Sequence, residues 1–259
     1  MVGRSRNSRR KLSAGPQRSW LWGRNAVLET LAAGRWLPLE LRFSDELDAG
    51  VAAEVAAAAE RLSIPVSVHG STRLTDWCGR SEHQGFLALM PPFPWTSVDE
   101  LLPRLPDSPL LLVLDRIQDP YNFGAILRSA EVFGVTAVIV GESGQCDITP
   151  HVARSAAGAV NHLTLTRTAS LADTLRQLRD EQGVRHFVAA AGGERSPARI
   201  DMTGAVSLVI GNEGAGIAPA LLSLAESVVS IPQAGRVDSL NAAVAAGVLL
   251  YEARRQRDA

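Results

Sequence analysis

The chain has 259 residues, 46% of them hydrophobic and 20% charged, with 26 basic side chains against 27 acidic ones, which is the composition of an ordinary globular protein and excludes wholesale disorder. Its two cysteines, Cys78 and Cys146, can build neither a disulfide framework nor a four-cysteine zinc site, no histidine pair has metalloprotease spacing, and no run approaches the roughly 20 apolar residues that span a bilayer. Lys11 is the only lysine, which rules out a Walker A loop and lysine Schiff-base chemistry. A cytoplasmic protein with no metal site and no membrane partner is the expectation.

The charge is unevenly placed. Residues 1–24 hold Arg4, Arg6, Arg9, Arg10, Lys11, Arg18 and Arg24 and no acid, so the rest of the chain has 19 basic against 27 acidic side chains, a net of −8. A basic, serine-containing tail over residues 1–19 on an acidic body suits tethering to a phosphate backbone.

After the tail, helices are predicted over residues 23–31 and 49–62, strands over 39–43, 64–68 and 85–90, and one more helical turn over 73–77. This makes a small α/β module over residues 20–90. Residues 91–108 contain Pro91, Pro92, Pro94, Pro103 and Pro106, a density that continuous helix or central strand cannot accommodate, and read as a linker. The second unit, residues 109–259, has a purely apolar strand at 110–114, another apolar strand at 135–140 and further strands at 162–165, 186–190, 207–210 and 228–231, alternating with helices (125–133, 152–158, 170–182, 217–225). Strands apolar on both faces joined by helical crossovers mean a parallel sheet covered on both sides. The last helix, 240–255, is capped by Ser239 in this reading. Its first half is small or apolar around the whole circumference, which predicts burial on several sides.

Three loops follow apolar strands at their C-terminal ends, where open parallel sheets bind ligands. The first, Asp115-Arg116-Ile117-Gln118-Asp119-Pro120-Tyr121-Asn122-Phe123-Gly124-Ala125, leads into a helix presenting Arg128, and a guanidinium beside a helix N-terminus can clamp a phosphate or carboxylate. Asn122 could equally be a plain helix cap. The second, Gly211-Asn212-Glu213-Gly214-Ala215-Gly216, has the spacing G-x-x-G-x-G rather than the dinucleotide G-x-G-x-x-G, with a carboxylate, Glu213, in its middle. The third, residues 231–241, places Ser239 and Asn241 at the start of the apolar helix. Two loops with unpaired backbone donors on one sheet edge suggest a pocket for a polar cofactor.

In their order and spacing these blocks resemble the SPOUT class of methyltransferases, and within it the SpoU (TrmH) branch of RNA ribose 2′-O-methyltransferases. The likeness rests on Asp119 to Ala130, on Ile210-Gly211-Asn212-Glu213-Gly214, and on Ser239-Leu240-Asn241 with Val244-Ala245-Ala246-Gly247. Gly23-Arg24-Asn25-Ala26-Val27-Leu28-Glu29 and His83-Gln84-Gly85 look like the small RNA-binding domain, similar to ribosomal protein L30e, that precedes the catalytic domain in many members. That arrangement resembles the subfamily methylating a guanosine ribose of large-subunit (23S) rRNA; the short tRNA enzymes of the branch generally lack it.

The resemblance implies an α/β SPOUT parallel sheet with a deep C-terminal trefoil knot, preceded by the L30e-like domain. It implies S-adenosylmethionine as cofactor, held at Gly211, Gly214, Ile231, Gly235, Leu240 and Asn241. It also implies a homodimer whose partner completes the site, and rRNA or tRNA as substrate. Arg128 would be the base or proton acceptor, with Asn122, Glu213, Ser239 and Asn241 positioning it and the ribose. A guanidinium that binds phosphate and stabilises a developing alkoxide fits the residues equally well. Ala242 and Ala243 stand where the family commonly has a Val-Ser pair. The alternatives are a tRNA ribose methyltransferase, an antibiotic-resistance rRNA enzyme acting elsewhere on the large subunit, and a non-catalytic RNA-binding protein.

Overall fold

The computed structural model describes residues 19–259 except Glu194, Glu213 and Asp238; the basic stretch 1–18 and the candidate Glu213 therefore lie outside the described residues. The N-terminal part runs β1 (Ser19–Trp22), α1 (Arg24–Ala33), β2 (Glu40–Ser44), α2 (Ala49–Arg61), β3 (Val66–His69), α3 (Ser71–Cys78) and β4 (Phe86–Met90). Its sheet has the order β1-β4-β2-β3, with β2 and β3 parallel and β4 antiparallel to both of its neighbours. The alanine-rich α2 starts where Asp48 accepts hydrogen bonds from the Gly50 and Val51 amides, a side-chain N-cap. One face of the sheet, with Leu21, Leu41, Phe43, Phe86, Ala88 and Met90, packs on Val27, Leu31, Val55 and Ala59 of α1 and α2. On the other face Trp22 and Leu87 meet Leu74 of α3. The reading of the sequence contains no strand at 19–22; four residues are too few to show alternation, and what makes them a strand is pairing with β4.

The proline-rich segment is not wholly irregular. It holds α4 (Val98–Leu101), opened by a capping box in which Ser97 Oγ accepts from the Glu100 amide and Glu100 Oε2 accepts from the Ser97 amide. The prolines flank this four-residue window rather than fall inside it, so the Ser-x-x-Glu signature can act.

The second part runs β5 (Leu110–Asp115), α5 (Pro120–Val132), β6 (Ala137–Gly141), α6 (Pro150–Ser155), β7 (Leu165–Thr168), α7 (Leu171–Gln182), β8 (Arg185–Ala189), β9 (Val206–Gly211), α8 (Pro219–Leu222), β10 (Ser227–Val229) and α9 (Ala242–Arg257). The six strands lie in the order β10-β8-β9-β5-β6-β7, and every pairing is parallel. Alternate residues of the central strands enter two separate cores. Leu110, Leu112, Leu114, Val138, Val140, Leu208 and Ile210 pack with α5, α6 and α9. Leu111, Val113, Ala137, Ile139 and Val209 pack with Leu175 and Leu178 of α7, Leu221 of α8 and Leu101 of α4. The chain builds outward from β5 through β6 and β7, then crosses to the other side of β5, where β9 is inserted between β8 and β5 and β10 is added at the edge; ligands of such folds bind at the C-terminal strand ends where the chain changes side.

Four sequence expectations are corrected. Strand β7 begins at Leu165 instead of 162, because residues before it serve the first domain: Asn161 Nδ2 donates to Thr30 Oγ1 at 3.3 Å and His162 Nε2 pairs with Glu29 at 2.7 Å. Helix α5 begins at Pro120, five residues early, because Asp119 caps it by accepting from the Asn122 amide at 2.7 Å. Helix α9 is capped by Asn241, not Ser239, with Asn241 Oδ1 accepting from the Ala243 and Val244 amides. And α9 is buried on one side only: Ala242, Ala246, Leu249, Leu250 and Ala253 are covered, whereas Val244, Val248 and Tyr251 are 52%, 40% and 58% exposed. Small side chains let one face of α9 press onto α5 and the sheet; the remaining apolar stripe is exposed among the described residues. Between β10 at the sheet edge and α9 against α5 the chain must return across the strand ends, and this return is the segment that the resemblance expects to be threaded. Among the described residues no helix is long and apolar enough to cross a membrane.

Candidate active site

A cavity of about 440 Å³ opens at the C-terminal ends of β8, β9 and β10, within the usual size of small-molecule and cofactor sites. Its floor is the end of β9. A side chain at Gly211 would start 2.4 Å from Ile217 Cγ1 and 2.7 Å from the Gly216 carbonyl, so glycine is required for the strand to turn so tightly beneath the cavity. The turn is held from within: Asn212 Oδ1 accepts from the Gly214 and Ala215 amides at 2.8 and 2.9 Å, and Gly216 takes the left-handed φ of +64°. Gly211, Asn212, Gly214, Gly216 and Ile217 line the opening, with Ile231, Gln233, Ser239, Leu240 and Asn241 from the third loop facing them across it. The side walls are Ala189, Ala190 and Ala191, whose small side chains leave the space free.

The turn is also anchored to the neighbouring strand. Asp115, the last residue of β5 and opposite Gly211 in the sheet register, is 4% exposed. Its carboxylate accepts from Arg116 Nε at 2.8 Å and Nη2 at 2.9 Å and from the Ala218 amide at 2.8 Å. Arg116, at a φ of +59°, donates in turn to the Gly216 carbonyl, and its own carbonyl accepts from Asn212 Nδ2. The hydrogen bonds and charge of Asp115 hold the Arg116 guanidinium above its ordinary pKa. A non-glycine residue in the left-handed region is costly unless its surroundings fix it, and here the buried carboxylate and the glycine turn do so. Sequence reading assigns no role to this pair; the signal is an acidic residue closing a strand that is otherwise wholly apolar.

The candidate residues are placed as follows. Asn122 is not the cap of α5, since Asp119 is, and its side chain is thereby available to the site: Asn241 Nδ2 donates to Asn122 Oδ1 at 3.0 Å. This contact joins the first loop to the third. Gly211, Gly214, Ile231, Ser239, Leu240 and Asn241 all border the cavity, and Gly235 lies in the same loop outside its lining. Arg128 is exposed on α5, outside the lining, and makes no ion pair with another described residue. It lies two turns beyond Tyr121, on the same face of the helix. Ala242, at the Val-Ser departure, is buried and borders the cavity. The arrangement offers backbone donors and acceptors at a glycine turn, an apolar slot from Ile210, Ile231 and Leu240, and an amide pair at the rim. These are the groups an adenine-bearing ligand requires.

Residues 109–251 match the family model described as SpoU rRNA methylase, and residues 20–96 match that of the RNA 2′-O ribose methyltransferase substrate-binding domain. The chain belongs to the SpoU rRNA methylase family. Among its SpoU relatives is a protein of Bacillus subtilis (strain 168), YacO, named for the TrmH family of tRNA/rRNA methyltransferases, 31% identical over 245 residues that cover 93% of this chain and 97% of that one. In structure it is similar to the SpoU methyltransferase AviRb of Streptomyces viridochromogenes in complex with AdoMet, with a TM-score of 0.79, 27% identity, and 92% and 90% of the two chains covered. It is likewise similar to an AdoMet-bound rRNA methyltransferase of Sinorhizobium meliloti, with a TM-score of 0.80, 28% identity, and 92% and 87% covered. The SpoU likeness therefore runs through both sheets.

Proposed function

We propose that this SpoU-family RNA methyltransferase methylates the 2′-hydroxyl of a guanosine ribose in large-subunit rRNA. The observation that carries the reading is the strand-end cavity floored by Gly211 and rimmed by the Asn122–Asn241 amide pair, joined to a substrate-binding domain that the short enzymes of the branch lack. S-adenosylmethionine is the cofactor and supplies the methyl group as a sulfonium. Gly211, Gly214, Ile231, Leu240 and Asn241 hold it, the glycine turn through backbone groups and Ile231 and Leu240 through apolar contact.

When bound there the cofactor would supply an electrophilic methyl group, its carbon–sulfur electron pair staying on sulfur; the residues of the rim would hold the ribose 2′-oxygen toward that methyl, and the hydroxyl proton would pass to solvent. Alignment supplies most of the acceleration. A guanidinium keeps its proton at neutral pH, so Arg128 acts by binding the adjacent phosphate and stabilising the developing alkoxide. Asn122, Ser239, Asn241 and Glu213 position the ribose. The protein works as a cytoplasmic homodimer. The uncovered stripe Val244, Val248 and Tyr251 of α9, with the 65%-exposed Val132 of α5 one turn from Arg128, is the face a second copy covers, which brings that copy beside Arg128.

Transfer of labelled methyl from S-adenosylmethionine to unmodified large-subunit rRNA and, in parallel, to unmodified tRNA tests the substrate. Label in the rRNA is expected. Label in tRNA alone would overturn the rRNA assignment, and label in neither, from folded protein that binds the cofactor, would favour an RNA-binding role without catalysis. The Arg128→Ala variant should bind S-adenosylmethionine normally and lose at least about 100-fold in methyl transfer, the scale of one lost electrostatic donor.

A further inference from the structure

Trp22, at the end of β1, sits where the two domains meet. Its indole is 6% exposed, and its ring nitrogen is buried with no acceptor among the described residues, although an indole nitrogen can only donate. Three side chains cover it. Arg80, from the loop after α3 of the first domain, has its guanidinium carbon 5.9 Å from the ring centroid, and Arg154, from α6 of the second, lies at 4.9 Å. His151 of α6 meets the ring edge-on at 5.0 Å and on its other side approaches Tyr121 at 6.4 Å. Tyr121 is 63% exposed on the first turn of α5 and directly precedes Asn122. A line of aromatic and cationic groups thus crosses from the first domain to the rim of the cavity.

Eight of the 20 described arginines pair with a described acid, and Arg80 and Arg154 differ from the other unpaired ones in converging on one buried ring. Arg42, Arg116, Arg167, Arg176, Arg179, Arg185, Arg254 and Arg255 each pair with an acid. Arg80 and Arg154, brought onto one ring from different domains, pair with none among the described residues, although the chain beyond residue 24 carries a net charge of −8. Glu82, in the same loop as Arg80, is exposed and bonds to neither. Two unpaired cations against one ring favour an anion beside them.

We propose that this seam is the track of the substrate: an unpaired RNA strand lays a phosphate beside Arg80 and Arg154 and stacks a base on Tyr121, which carries the adjoining ribose to Asn122. The inference rests on the RNA methyltransferase reading above and adds to it the route and the single-stranded form of the substrate. Aromatic platforms and unpaired guanidiniums are how proteins hold single strands without reading their sequence.

The test is fluorescence anisotropy of the full chain with a fluorescein-labelled single-stranded RNA, titrated at several salt concentrations. Arg80→Gln combined with Arg154→Gln should reduce the slope of log affinity against log salt by about 0.7, the value for one lost phosphate. Tyr121→Ala should weaken binding about 10-fold while Tyr121→Phe, which keeps the ring, stays near wild type. Arg61→Gln with Arg104→Gln, two exposed arginines elsewhere, should leave the slope unchanged, and S-adenosylmethionine affinity should hold in all of them. Wild-type slope and affinity in the Arg80/Arg154 variant, or equal losses in the two Tyr121 variants, would overturn the track and leave the methyltransferase reading intact. Failure of the wild-type protein both to bind RNA and to methylate it would overturn the reading itself, and the track with it.

Discussion

The two sheets of this chain are built from similar strands and put their chemistry in different places. The four-stranded sheet is mixed, and one of its faces carries polar and aromatic groups along the strands: Arg42 lies between Trp20 and Trp77, at 4.6 and 3.8 Å from their ring centroids, and pairs with Glu40 at 2.6 Å. The six-stranded sheet is parallel and covered on both sides, so its central strands are mostly apolar, with the buried pair His186–Ser207 hydrogen-bonded at 2.7 Å, and most polar groups are pushed to the strand ends. The first sheet can therefore present side chains to a partner from its face and edges, whereas the second presents backbone at its C-terminal rim. A covered parallel sheet makes a cofactor site from turns, and it does so only if those turns are rigid.

That contrast can be broken first at Gly211. Gly211→Ala places a methyl group against the Gly216 carbonyl and Ile217 and should lower S-adenosylmethionine affinity at least about 100-fold by calorimetry, since overpacking against backbone typically costs 1–3 kcal/mol before any ligand contact is lost. Asp115→Asn removes the charge that holds Arg116 and the glycine turn. A partly buried ion pair and its hydrogen bonds are lost, so thermal unfolding should show a destabilisation of about 2 kcal/mol and a Tm lower by about 4–8 °C, with weaker cofactor binding.

The amide pair at the rim separates fold from site. Asn241→Ala loses a helix cap and should cost about 1 kcal/mol, while Asn122→Ala, with Asp119 still capping α5, should leave stability nearly unchanged; both should slow methyl transfer. The smallest effect belongs to the first sheet. Arg42→Met keeps the stem between the two tryptophans and loses a partly buried ion pair and cation–π contact, worth about 1 kcal/mol, and cofactor affinity should not change. A loss of cofactor binding in Arg42→Met would mean that the two sheets are not independent in the way described.

Much of the fold was legible because it depends on local pattern. The runs 110–114 and 207–210 are apolar on both faces and became central parallel strands; the alanine-rich 49–62 became α2 with its cap at Asp48. What the sequence hid depends on tertiary choice. The start of β7 moved by three residues because Asn161 and His162 are used against the first domain. Ser239 and Asn241 are both good caps two residues apart; the helix starts at Asn241, whose Oδ1 accepts from the Ala243 and Val244 amides while its Nδ2 donates to Asn122. An all-apolar helix reads the same whether its outer face is buried in its own chain or left for another, which is why the exposure of Val244, Val248 and Tyr251 could not be read in advance. In the site, the glycine and asparagine positions were visible as types the backbone needs. The alanine walls 189–191 carry no chemical signal, and Asp115 with Arg116 looks like the ordinary end of a strand until its partners are known.

The central claim is that the rim of the parallel sheet delivers methyl to a ribose oxygen. The most direct measurement is to label RNA with methyl-labelled S-adenosylmethionine, hydrolyse it in alkali, and locate the label by mass spectrometry. A 2′-O-methyl group blocks cleavage at its own nucleotide, so the label should appear in one alkali-resistant dinucleotide containing guanosine. Label in a mononucleotide carrying a methylated base would contradict the account.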